Sequence, residues 1–116
     1  MPYEDYAIKL SSLEETNYII DAINLYNSRN QEKGNRITIY GFLPMDNQCY
    51  LVALSDTTRK KHARKWLIKF LPNTTAWAVI KNTQKWLSYD NYLCRYDPTK
   101  NIYMLPPEVV NFMRKN

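Results

Sequence analysis

The chain has 116 residues, 45% of them hydrophobic, and carries a formal net charge of +5. That length supports one continuous core, whereas two domains would each be marginal, so a single globular domain over 1–116 is expected. Two glycines, Gly34 and Gly41, rule out a glycine-rich phosphate loop and leave most turns to Asn, Asp and Pro.

Charge divides unevenly along the chain. Residues 1–35 hold three basic and six acidic side chains, and residues 36–116 hold thirteen basic and five acidic. Such an asymmetry speaks to partners and steering and says nothing of the fold. Glu4, Asp5 and Lys9 interrupt the N-terminal stretch, so no signal peptide is expected, and no apolar run approaches membrane-span length. An intracellular location, cytoplasmic or nucleoid-associated, is the matching expectation. Cys49 and Cys94 are expected to be reduced and buried. With one histidine they cannot complete a four-ligand zinc site unaided, and neither metal nor cofactor is expected.

In chain order, Tyr6, Ile8 and Leu10 alternate with Ala7 and Lys9, which predicts a strand from Tyr3 to Leu10. Ser11 and Ser12 each precede a glutamate by three residues, Glu14 and Glu15, giving two overlapping capping boxes. A helix from Leu13 to about Asn30 follows, with Thr16, Ile19, Ile20, Ile23 and Tyr26 on one face. Gly34 and Asn35 supply the turn into a strand from Arg36 to Leu43, where Gly41 marks a bulge. Pro44 to Asn47 predicts a turn, and Gln48 to Ser55 a second strand in an antiparallel hairpin with a four- or five-residue loop. Tyr50, Val52 and Leu54 oppose Cys49, Leu51 and Ala53, so this strand is expected to be central and covered on both faces.

Asp56 or Thr57 starts a second helix that Pro72 ends, and Thr74 to Lys81 predicts another strand. Residues 83–96 fit a helix bearing Trp86, Tyr89, Leu93 and Tyr96 on one face, or a hairpin around Asp90 and Asn91; the helix is the preferred reading. Asn101 to Leu105 suggests a short strand, and Pro106, Pro107 and Glu108 a final helix start. The fold class is therefore α+β: a small mixed or antiparallel sheet of three to five strands flanked by two or three helices. Trp66, Phe70, Val52, Leu54, Trp77 and Val79 are expected in its core.

The second helix carries the functional signal. At roughly 100° per residue, Ala63, Trp66, Leu67, Phe70 and Leu71 share one side. Arg59, Lys60, Lys61, Arg64, Lys65 and Lys69 supply six basic residues with no acid among them. Like charges at four-residue spacing repel, a cost that an anionic partner offsets. Phosphate is the leading candidate, which makes DNA or RNA the expected partner through mainly sequence-nonspecific contacts by these six residues. An acidic protein surface docked by the same helix is the alternative, as in an adaptor or inhibitor. A homodimer would double the basic surface. Tyr40, Tyr50, Tyr89, Tyr92, Tyr96 and Tyr103 are candidate stacking platforms for single-stranded nucleic acid, although a strand tyrosine more often packs its ring.

Catalysis is the weaker reading. His62 has no paired nucleophile in view, and turns and caps explain Asp46, Asp56, Asp90 and Asp97 more simply than a metal-dependent nuclease site would. No nucleotide-loop, protease or deaminase motif occurs, so no catalytic residue is assigned.

Overall fold

A computed structural model describes residues 3–56, 62–73, 75–89 and 91–115. Four strands, β1 (Tyr3–Leu10), β2 (Arg36–Met45), β3 (Gln48–Asp56) and β4 (Trp77–Val79), form a sheet in the order β2-β3-β1-β4 with every neighbouring pair antiparallel. Helix α1 (Leu13–Asn30) joins β1 to β2 across β3, and α2 (His62–Phe70) joins β3 to β4 across β1. This is the split β-α-β arrangement used twice. Crossovers of one hand place both helices on one face of the sheet. A one-turn α3 (Thr83–Leu87), a small hairpin of β5 (Arg95–Asp97) and β6 (Ile102–Met104), and α4 (Pro107–Lys115) complete the chain. The expected α+β class holds, with the one-turn α3 added to the three longer helices. No helix among the described residues is long and apolar enough to cross a membrane.

The alternation in β1 sends Tyr6, Ile8 and Leu10 to the helical face, where all three are buried with Cys49, Leu51 and Ala53 of β3. Ile19, Ile20, Ile23 and Tyr26 of α1 close over them, joined by Ala63 and Leu67 of α2 and Val109 of α4. Ser12 caps α1, its Oγ accepting the Glu15 amide at 3.1 Å, while the Ser11 hydroxyl donates to the Glu15 carboxylate. In β2, Ile37, Ile39 and Phe42 all join this core, although strict alternation would send Phe42 to the other face. The register shift between Ile39 and Gly41 is the bulge that corrects the parity.

Several sequence expectations are revised. The β2–β3 connection is two residues long, since Met45 pairs with Gln48; Asp46 absorbs the tight reversal at φ 48°. The 83–96 helix stops at Leu87. Leu93 then forms a bridge with Phe42, each amide donating to the other's carbonyl at 2.7 and 2.8 Å, and Tyr96 enters a hairpin with Tyr103. Two reciprocal backbone bonds beside an otherwise open β2 edge outcompete a helical stripe of weak formers. Of the expected core, Val52 is fully buried, but Trp66, Phe70, Trp77 and Val79 are only half-buried at the rim; the Leu54 side chain lies outside the described residues. Cys49 is buried, whereas Cys94 is exposed; both are free thiols.

The second face of the sheet is also covered, as the apolar character of Tyr50 and Val52 predicts. Residues 80–89 leave β4 and place Trp86 against Tyr50, and residues 91–93 meet the β2 edge, with Tyr92 against Gly41. Coverage is complete over Val52 and Leu43 and incomplete toward β4, where Ala76 and Ala78 are exposed.

Candidate nucleic-acid interface

Helix α2 buries Ala63 and Leu67, with Leu71 directly after it, and keeps Lys65, Ile68 and Lys69 in solvent; Ile68 is 60% exposed. Trp66 anchors the border, stacked on Phe70 at 4.1 Å between centroids and meeting Tyr26 edge-on at 5.3 Å. Its indole Nε1 is buried without a hydrogen-bond partner. Lys69 in the last turn favours the helix dipole, and no acid occupies the first turn. Of the six basic residues read as a phosphate-binding set, Arg59, Lys60 and Lys61 lie outside the described residues. Lys65 and Lys69 stand one turn apart on the outer side, exposed and, among the described residues, in no ion pair.

Arg64 is differently placed. Its guanidinium forks onto the buried Glu4 of β1, Nη2 on Oε1 and Nε donating to Oε2 at 3.1 Å, and the Tyr6 hydroxyl donates to Oε2 at 2.8 Å. The hydrogen bonds to Glu4 push the Arg64 pKa up. Fork geometry matches a carboxylate with two parallel bonds and locks α2 to the sheet. The positive charge of Arg64 thus has an internal anion set against it. Sequence reading missed Glu4 because sixty residues separate the partners.

The tyrosines also separate. Tyr103 is buried, Tyr96 packs on it at 5.0 Å, and Arg36 lies 5.6 Å from both ring centres while donating to Asn101 at 3.0 Å. Asn24 binds the Tyr103 amide and carbonyl, tying this hairpin to α1. Tyr40 donates to the buried Asp5 at 3.4 Å, and Tyr92 donates to the Trp86 carbonyl at 2.7 Å. Each of these four rings has a packing or hydrogen-bond partner within the fold. Tyr50 differs, since it lines a shallow cleft of about 290 Å³ with Ala7, Lys9, Ala76, Trp77, Ala78 and Trp86.

Asp46 occupies the hairpin loop and Asp97 accepts the amides of Thr99 and Lys100 in the next turn; Asp90 lies outside the described residues, as do the side chains of Asp56 and His62. Among the described residues no three His, Cys, Asp or Glu side chains gather to hold a metal ion. No protein-family model, curated protein or solved structure matches the chain, so the site is read from its own chemistry.

Proposed function

We propose that this domain binds nucleic acid through largely sequence-nonspecific phosphate contacts made by the outer side of α2, inside the cell. The observation that carries the reading is the pair Lys65 and Lys69: exposed, without an ion-pair partner among the described residues, one turn apart, and backed by a helix face fixed in the core. Arg59, Lys60 and Lys61 add three positive charges to the sequence just before the helix. Arg64 serves instead as the clamp that holds the surface in place. Lysine contacts of this kind position a backbone and do not read bases.

Ile68 favours a second reading. A largely exposed isoleucine flanked by Lys65 and Lys69 is an apolar point within a charged rim, which suits an acidic protein surface.

A salt titration of binding to DNA and RNA tests the proposal. Affinity should fall log-linearly with salt, with a slope of roughly 0.9 per duplex phosphate neutralised. The double variant Lys65→Glu and Lys69→Glu should weaken binding to unrelated sequences alike while its urea midpoint stays put. Unaltered binding by that folded variant would reject α2 as the contact.

A further inference from the structure

We infer that the cleft between β1, β4 and α3 seats an unpaired nucleobase, which makes single-stranded nucleic acid the ligand class. The inference rests on the phosphate-binding reading and adds what that reading lacks, a reason for one strand to be preferred over two.

The shape of the cleft follows from the sheet. Ala7 and Ala78 face each other across β1 and β4, and Ala76 stands two residues along on the same side. Their methyls make a low, flat floor where larger strand residues would stand up from the pleat. Tyr50 of β3 and Trp86 of α3 rise beside it, their rings 5.8 Å apart and inclined at 74°. Lys9 brings a positive charge to the rim, and among the described residues that line the space there is no carboxylate; Asp5, two residues before Ala7 on β1, is buried and accepts the Tyr40 hydroxyl. Lys81 and Lys85, both exposed, belong to the segment that carries Trp86.

Three features select the occupant. A flat methyl floor beside aromatic rings suits a planar π system, and every base offers one. Cations without carboxylates suit a ring that travels with a phosphate. A concave apolar seat admits a base only after it has left its stack, which a duplex does not offer without paying for unpairing. The lining supplies no set of donors and acceptors that would tell one base from another, in keeping with sequence-tolerant binding. The seat is also preformed. Tyr92 holds the Trp86 carbonyl, Asn82 caps α3 through the Lys85 amide, and the Phe42–Leu93 bridge fastens the far end.

The test compares a short oligothymidylate, a duplex of mixed sequence and polyglutamate by fluorescence anisotropy, using the full chain. The parent should bind the single strand about ten-fold more tightly than the duplex, the scale of one stacked base. Ala78→Leu fills the floor at an exposed position and should remove that preference; Ala76→Leu gives the same readout from the neighbouring position. Trp86→Ala should also remove it. Equal affinity of the parent for both nucleic acids, or a folded Ala78→Leu variant with its preference intact, would overturn the base seat while leaving the α2 proposal standing. Absence of nucleic-acid binding at low salt would overturn both. Polyglutamate binding that Ala78→Leu abolishes would reassign the cleft to an acidic protein.

Discussion

Gly41 gives the sharpest test of how the two faces of the sheet are joined. Its φ is +153°, a conformation that side chains with a Cβ rarely adopt, and a Cβ there would lie 3.0 Å from the Tyr92 Cβ and 3.1 Å from the Leu93 carbonyl oxygen. Gly41→Ala therefore meets two costs. Backbone strain in a glycine-only region is on the order of 1–3 kcal/mol. The crowded Leu93 carbonyl also accepts the Phe42 amide, so relieving the contact strains a two-bond bridge worth about 1 kcal/mol per bond. Together they predict a loss of about 2–4 kcal/mol, or a fall in Tm of the order of 10 °C. Gly34→Ala is the matched control, since its φ is +74° but nothing lies within 4 Å of the added methyl. It should cost only about 1–2 kcal/mol. Urea unfolding would measure both, and hydrogen exchange should show the Phe42 and Leu93 amides losing protection in Gly41→Ala alone. Because the same bridge fastens the segment bearing Trp86, Gly41→Ala should also reduce single-strand preference. Equal losses in the two variants, or a Gly41→Ala loss below about 1 kcal/mol, would refute this account of the bulge.

The Glu4–Arg64 pair should respond asymmetrically: Arg64→Met leaves a carboxylate that is 8% exposed without its fork, whereas Glu4→Met leaves an arginine that is 36% exposed and can rehydrate. Urea midpoints should fall further for Arg64→Met, and equal losses would contradict the burial argument. Trp66→Phe should cost less than about 1 kcal/mol in urea, because the deleted N–H makes no hydrogen bond and its loss offsets the lost area. Trp66→Ala should cost about 2 kcal/mol, below the range of about 3–5 for a fully buried tryptophan. Burial pushes the Cys49 thiol from 9.0 up to about 11 and the Tyr26 phenol from 10.0 up to about 12. Both groups are protonated when folded and ionise more easily when unfolded, so their contribution is whole below about pH 9 and is lost as pH climbs through 11 and 12, by roughly 2–3 kcal/mol each. Cys49→Ala and Tyr26→Phe should flatten the alkaline fall of stability, and an unchanged slope would count against burial as its cause.

The division between sequence and tertiary structure follows the range of the forces involved. The periodicity of Tyr3–Leu10 and Leu13–Asn30, the Ser12 cap, the Gly41 bulge and the apolar side of α2 were legible because each depends on residues a few positions apart. Local chemistry also set the six basic residues between 59 and 69 apart as a stretch of one sign. Pairings made across the fold decided the rest. Glu4 withdraws Arg64 from that set, which no spacing along α2 could disclose. Residues 83–96 carry both a helical and a strand pattern, and the open β2 edge chose by offering Leu93 two backbone hydrogen bonds. Ala76 and Ala78 alternate with Trp77 and Val79 in plain view, but alternation assigns residues to faces without saying which face stays open. That depended on tertiary placement: the segment bearing Trp86 and Tyr92 packs over Tyr50 and Gly41, Val52 is buried, and Ala76 and Ala78 stay exposed.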